Sequence, residues 1–269
     1  MGRDLDAARN LAIGLAVAAG ELQLARRSTV VVGGTKAHAN DLVSDVDLAS
    51  ERLIVEGISA EWPDDGILAE EGSAAAGTSG WRWVIDPLDG TRNYLTGAGP
   101  WSVCIALQRG EDTRVAVVHD PVADETFSAV GGGGAAVDGL ALEVASTTRI
   151  DEALVGLSFN PSPATKRRMV GLLSNLLPAI GDVRRVPAAL GLAYAAAGRF
   201  DAAVTVDTQL WDVAAGLLIA AEAGAVVGKV PGAGPGLILA TPPALRTDLV
   251  RLISPPARPP GRTARSGSD

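Results

Sequence analysis

Cysteine is almost absent: Cys104 stands alone in 269 residues. A single thiol excludes an internal disulfide framework and fits a reducing compartment. Histidine is nearly as scarce, and neither His38 nor His119 has a partner at metal-ligand spacing, which argues against zinc. No apolar run is long enough to span a membrane. The short apolar stretch from Leu11 to Gly20 follows Asp4 and Asp6, where a secretory leader would carry positive charge. The chain is therefore expected to be cytoplasmic, with no membrane partner. Basic charge is also in deficit, since 23 Lys and Arg face 31 Asp and Glu for a formal charge of −8. That balance disfavours a nucleic-acid surface, and an acidic protein that handles anionic substrates needs cations to reverse the local field. There is no internal repeat and no Walker loop; the glycines from Gly131 to Gly134 are not followed by GK[ST].

What is present is a core. The chain is 47% hydrophobic and 20% charged, enough for one large unit or two lobes that share an interior. Leu5 to Arg26 carries Ala8, Leu11, Ala12, Leu15, Ala18 and Ala19 at helical spacing. Lys36 to Asp41 is loop-like, and Ser44 with Asp47 reads as the capped start of a helix continuing through Leu48, Leu53, Ile54 and Ile58. Ser102 to Leu107, Arg114 to His119 and Glu125 to Val130 read as successive strands of an antiparallel sheet. Around Asp151 the pattern becomes alternating: a strand at Leu154 to Phe159, a basic helix near Thr165 to Leu177, and an Ala-rich helix from Ala188 to Ala197. A strand at Phe200 to Val206 and a helix opening at Trp211-Asp212 follow. Residues 1–150 thus read as an α+β lobe, 151–253 as an α/β lobe, and 254–269, with PPARPPGRTARSGSD, as a disordered tail.

The chemistry is concentrated in WRWVIDPLDGTRNYLTG, Trp81 to Gly97. Trp83, Val84 and Ile85 form a strand expected to end at Pro87, which has no ladder donor. Asp86 and Asp89 leave it within one turn of each other, and Gly90-Thr91 offers amides suited to a phosphate oxygen. Hard carboxylate oxygens without His or Cys suit Mg²⁺ or Mn²⁺. Taken singly, each acid has a plainer reading. DPLDG is ordinary turn chemistry, Glu70 and Glu71 at the end of GILAEEG can be solvated, and Asp47 and Asp212 are well placed as helix-start carboxylates. Lys36 reads equally as a loop lysine or a site cation, and Lys166, Arg167 and Arg168 read as a solvated face.

Taken together, DLVSDVD (Asp41 to Asp47), ILAEEG (Ile67 to Gly72), WVIDPLDGTRNY (Trp83 to Tyr94) and WDVAAGLLIAAEAG (Trp211 to Gly224) resemble, in order, the four blocks of the inositol monophosphatase family. The resemblance runs from about Leu5 to Val250 and implies a layered αβαβα sandwich, shared with fructose-1,6-bisphosphatases and 3′-nucleotide phosphatases. It implies a Mg²⁺-dependent phosphoric monoester hydrolase, usually a Li⁺-sensitive homodimer, acting on a small phosphorylated metabolite. Glu70, Asp86 and the Leu88 carbonyl would hold a first metal. Asp86, Asp89 and Asp212 would hold a second, and a weaker third would share Glu70. Most ligands then lie in the first lobe, with Asp212 supplied by the second. Catalytic roles fall on Glu70 and on Thr91 held by Asp47, which would aim a metal-activated water at phosphorus. Asp89, Gly90, Thr91, Ala188 and Asp212 would bind substrate. The haloacid-dehalogenase alternative separates its two aspartates by one residue, whereas Pro87 and Leu88 both intervene here, favouring activated water over an aspartyl-phosphate.

The substrate side departs from the pattern. Val186 and Pro187 replace the usual Gly-Ser or Gly-Thr, Ala69 replaces a frequent Gly or Ser, and Thr205 stands where inositol-selective members carry a hydroxyl-binding Glu. Asp207 could replace that Glu only if its loop turned inward. Inositol 1-phosphate ranks first because Arg92 to Leu107 is most like the inositol branch. Histidinol phosphate, fructose 1,6-bisphosphate and a 3′-phosphonucleotide follow. A non-catalytic binding protein of the same fold is the reading from another class.

Overall fold

A computed structural model describes residues 3–30, 32–35 and 42–254. Lys36, the stretch 36–41 expected to be loop-like and the expected tail beyond Ser254 lie outside the described residues. The chain begins with helix α1 (Leu5–Arg26), strands β1 (Val32–Thr35) and β2 (Leu42–Ser44), and helix α2 (Asp45–Glu61). Then come β3 (Gly66–Ala69), β4 (Ala74–Ala75), β5 (Trp81–Asp89), the short helix α3 (Thr91–Thr96), β6 (Ser102–Arg109), β7 (Asp112–Asp120), β8 (Glu125–Val130), β9 (Ala135–Val137) and β10 (Leu140–Ala141). The second half runs β11 (Leu154–Phe159), α4 (Pro163–Leu176), β12 (Asp182–Arg185), α5 (Ala188–Ala196), β13 (Ala202–Val206), α6 (Leu210–Glu222), β14 (Val226–Lys229), β15 (Leu237–Thr241) and α7 (Pro243–Ile253).

These elements form the layered αβαβα arrangement. An eight-stranded sheet, ordered β10-β9-β8-β7-β6-β5-β3-β4, is antiparallel except where β3 and β5 run parallel. A five-stranded sheet, ordered β12-β11-β13-β15-β14, has all its strands parallel except β15, which runs antiparallel to both of its neighbours. Strand alternation decides which face each residue serves. Trp83 and Ile85 meet Ala8, Ala12, Ala16, Ala19, Ile54 and Ile58 from α1 and α2. Val84, one residue out of phase, packs instead with α5 and α6, which lie between the two sheets. Helices α4 and α7 close the far face of the second sheet through Met169, Leu172, Leu176, Leu245 and Leu249. Among the described residues no helix is long and apolar enough to cross a membrane.

Two sequence expectations need correction. Pro87 does not end its strand. Asp86 pairs with Cys104 and Asp89 with Ser102, so three steps on β5 face two on β6, and the extra residue makes a bulge. Proline is tolerated there because its missing N–H falls where the ladder is already interrupted. Leu48 does not belong to the apolar face of α2; it is 47% exposed, while Val46, Ser50, Ile54 and Ile58 are buried. The start of α2 is as expected. Ser44 Oγ accepts from the amides of Val46 and Asp47, and Asp47 Oδ2 accepts from the Ser44 amide at 2.9 Å. Ser44→Ala is expected to lower stability by about 1 kcal/mol, the usual scale for losing an N-cap, measured as a shift in urea midpoint.

Candidate active site

Asp86 continues the Val84 side of β5, so the pleat directs it away from α1 and α2 and toward the layer that holds α6. Ala69 pairs with Ile85 in the parallel β3–β5 ladder, and the Glu70 amide donates to the Ile85 carbonyl at 3.1 Å, which brings Glu70 level with Asp86. Asp212, the third residue of α6, accepts from the Gln209 amide at 2.7 Å. It therefore caps its helix and also faces the pocket. One carboxylate oxygen from each of Glu70, Asp86 and Asp212 lies within 4.8 Å of the others. Asp89 Oδ2 accepts from the Ala189 amide at 2.9 Å, tying the β5 bulge to the start of α5.

This gathering of like charges has an electrostatic signature. Asp86, only 1% exposed, titrates well above the usual carboxylate range because it is buried, with Glu70, Asp89 and Asp212 adding repulsion. Asp89 is also pushed up, by burial first and Asp212 next, against the opposing Ala189 and Ala188 amides. Buried Cys104, across the ladder from Asp86, is raised for the same reasons. A close set of carboxylates, offering oxygen ligands to one point, fits a hard divalent cation.

Beside it, Thr91 Oγ1 donates to Asp47 Oδ1 at 2.9 Å and lies 3.2 Å from the Leu88 carbonyl. Asp47 is wholly buried and also receives the Ser44 amide and hydroxyl. Gly90, at φ 102°, begins α3, and a Cβ there would come within 2.9 Å of Pro187 Cγ. Only glycine lets the turn come this close to the wall. Glu70, Asp86, Leu88, Asp89, Gly90, Thr91, Ala188 and Asp212 all line a single cavity of about 990 Å³. Every residue singled out from the sequence as a ligand, catalytic group or substrate contact is at this cavity, except Asp47, which stands behind Thr91.

The structure differs on the substrate side. Asp207 turns away, accepting from Thr165 Oγ1 and Arg168 Nη1, both at 2.7 Å, so it is no substitute for a hydroxyl-binding Glu. Thr205 is buried in β13. The basic α4 residues are not one solvated face, since Arg168 is committed to Asp207 and Lys166 lines the cavity. Two supports escaped sequence reading. Gln23, wholly buried, donates from Nε2 to the Pro87 carbonyl at 2.8 Å. Glu51 accepts from the Glu71 and Ser73 amides at 2.7 and 2.9 Å, fixing the turn that follows Glu70. Each is a polar residue on the buried face of its helix, and that is the signal that would have flagged it.

The five-layer fold and its carboxylate-floored cavity define a phosphatase-like α/β protein. The family model described as "Inositol monophosphatase family" matches residues 4–252, and the chain belongs to that family. Among its relatives, "Nus factor SuhB" of Pasteurella multocida (strain Pm70) is 37% identical over 231 residues, covering 82% of this chain and 85% of the relative. "Inositol-1-monophosphatase" of Rhizobium meliloti (strain 1021) is 38% identical over 200 residues, covering 72% and 74%. The crystal structure of extragenic suppressor protein suhB from Bartonella henselae superposes with a TM-score of 0.86 at 31% identity, covering 93% of this chain and 99% of that one.

Proposed function

We propose that this chain is a divalent-cation-dependent phosphomonoesterase whose first-ranked substrate is myo-inositol 1-phosphate. The observation that carries the reading is the convergence of Glu70, Asp86 and Asp212 from three distant segments, with their oxygens within 4.8 Å. Capping, turn and surface chemistry each explain one acid; none explains their meeting. Glu70, Asp86 and the Leu88 carbonyl would hold one Mg²⁺, and Asp86, Asp89 and Asp212 would hold another, with Mn²⁺ able to replace it. When bound, such a pair supplies Lewis-acid stabilisation of the attacking and leaving oxygens. The chain's own groups do the positioning. Because Thr91 Oγ1 donates its hydrogen bond to Asp47, its lone pairs would be left to accept from a water, and Glu70 would take that water's other proton. Attack of the water oxygen on phosphorus would break the ester bond; the ester oxygen would leave on the Asp212 side and take a proton from solvent water, while Glu70 returns to solvent the proton it accepted, so that the protein ends unchanged. The Gly90 and Thr91 amides bind the phosphoryl oxygens, where charge grows.

The name inositol-1-monophosphatase borne by the Rhizobium relative supports the substrate ranking. Phosphate release is measured with Mg²⁺ against inositol 1-phosphate, histidinol phosphate, fructose 1,6-bisphosphate and a 3′-phosphonucleotide. Turnover of inositol 1-phosphate that chelation abolishes supports the reading; no release from any ester with Mg²⁺ or Mn²⁺ refutes it and leaves the non-catalytic alternative. The name Nus factor, borne by the Pasteurella relative, favours a second reading, a role in transcription. Association with purified transcription complexes that persists in an inactive Asp89→Asn chain would support it, and absence of association would remove it.

A further inference from the structure

Helix α2 changes character along a single face. Asp47, Ser50, Glu51, Ile54 and Ile58 recur at the spacing that brings residues to one side of a helix, and all five are buried. Ile54 and Ile58 pack in the apolar cluster with Trp83 and Ile85. The other three are polar, and apolar side chains in their place would avoid the cost of burying two carboxylates. Each of the three reaches a different segment of the site. Asp47 Oδ1 accepts from Thr91 Oγ1 at 2.9 Å. Ser50 Oγ accepts at 3.1 Å from Gln23 Nε2, the same group that donates to the Pro87 carbonyl. Glu51, only 4% exposed, uses both oxygens: Oε2 accepts from the Glu71 amide at 2.7 Å and Oε1 from the Ser73 amide at 2.9 Å. These two amides flank Gly72, at φ 116°, and directly follow Glu70. Main-chain bonds from the Ala69 amide to the Ser73 carbonyl at 3.0 Å and from the Glu70 amide to the Ile85 carbonyl at 3.1 Å close the base of the turn.

We propose that Glu51 is a positioning residue for Glu70 and that, with Asp47 one helical turn away, it sets the spacing between the two groups that meet the attacking water, Glu70 and Thr91. This rests on the phosphatase reading above and says how the chain holds its water-binding pair. Residues four apart on a helix rise by about 6 Å, a separation the helix keeps rigid. The turn carrying Glu70 and the helix start carrying Thr91 come from different strands, and α2 ties both to one scaffold. A carboxylate suits this task because it accepts from two amides at once and has no donor to oppose them. Glu51 does not line the cavity, so its influence on the water passes through the turn. Glu51→Gln keeps the side-chain volume but sets an NH₂ group against one of the two amides. One tether is then lost and the turn is pushed away from α2.

The test is a double-mutant cycle on phosphate release with saturating Mg²⁺. Glu51→Gln should lower kcat about 10- to 100-fold, the scale on which a ~1 Å displacement acts. KM should change little, because the Gly90 and Thr91 amides that bind the phosphoryl oxygens are untouched. Glu51→Asp, which keeps both acceptor oxygens on a shorter arm, should recover part of the loss. In a Glu70→Gln chain the same Glu51→Gln change should cost less than about twofold, since a residue that acts through Glu70 has nothing left to act through. Equal losses in the two backgrounds, or a raised KM with kcat unchanged, overturn the proposal. Amide exchange in EDTA needs no turnover: Glu51→Gln should speed exchange in the 70–73 segment and leave α2 and α3 as protected as before. Exchange quickened across the whole fold would make Glu51 a general support and overturn the positioning role. If the unmodified chain hydrolyses no ester, the phosphatase reading fails on its own, and calorimetric titration with Mg²⁺ reads the placement of Glu70 instead. Glu51→Gln should then weaken binding in the unmodified background and not in Glu70→Gln; the same weakening in both, or none in either, overturns the proposal.

Discussion

Asp89→Asn is expected to lower Mg²⁺-dependent phosphate release by at least roughly 10²–10³-fold, the scale for losing one preorganised group where charge develops, without destabilising the metal-free fold. The two halves of this expectation share a cause. Asp89 is half-buried beside carboxylates that repel it, so its charge serves a cation and not the fold. An Asn side-chain oxygen can still accept from the Ala189 amide, which Asp89 Oδ2 now receives at 2.9 Å. The sign of the pH dependence follows. Asp86 and Asp89 both titrate in the fold well above their ordinary 3.8, so at intermediate pH the folded state binds more protons than the unfolded one. Their contribution is fully present below about pH 3.8 and is lost as pH rises through the folded values. With EDTA, then, the melting temperature should fall as pH rises across that window, and Mg²⁺ should restore it near neutrality. Asp89→Asn should flatten the decline and weaken the Mg²⁺ response. Unchanged turnover by this variant, or an unchanged slope in EDTA, would remove Asp89 from the cation site.

The contrast between what was legible and what was not follows sequence separation. Asp86, Asp89, Gly90 and Thr91 were readable because their chemistry is written within six consecutive residues, and Ser44 with Asp47 because a capping box is local. Glu70 and Asp212 each had a sufficient plain explanation, solvation for one and helix capping for the other, and Asp212 does take part in capping. Only the joint pattern of four blocks singled them out. The continuation of β5 through Pro87 was not readable, because a bulge is defined by the facing strand: its extra residue exists only relative to Ser102 and Cys104. Glu51 looked ordinary for the same reason, since its meeting with the Glu71 and Ser73 amides is set by the packing of α2. The Gln23 contact to Pro87 spans 64 residues and depends on where α1 docks.

Gln23→Leu is expected to cost about 2–5 kcal/mol of stability, because it removes hydrogen bonds from two buried groups that have little else to turn to. The side chain is wholly buried. Its Nε2 donates to the Pro87 carbonyl at 2.8 Å and to Ser50 Oγ at 3.1 Å, while its Oε1 accepts from Trp101 Nε1 at 2.8 Å. Leucine fills nearly the same volume, so the loss comes from stranding the Pro87 carbonyl and the indole N–H and not from a cavity. The neighbouring packing remains: Tyr94 still donates to the Gln23 main-chain carbonyl at 2.8 Å and still meets Trp101 edge-on, with ring centres 5.0 Å apart. The Pro87 carbonyl lies between Asp86 and Asp89, so releasing it loosens both carboxylates at once. Leu249→Ala provides the comparison, a truncation in the layer farthest from the site with a similar expected loss of about 2–5 kcal/mol. Urea unfolding should show comparable destabilisation of the two variants, while Mg²⁺ titration should show weakened binding only in Gln23→Leu. Equal Mg²⁺ affinity in the two would mean that α1 supports the fold without positioning the Asp86–Asp89 turn.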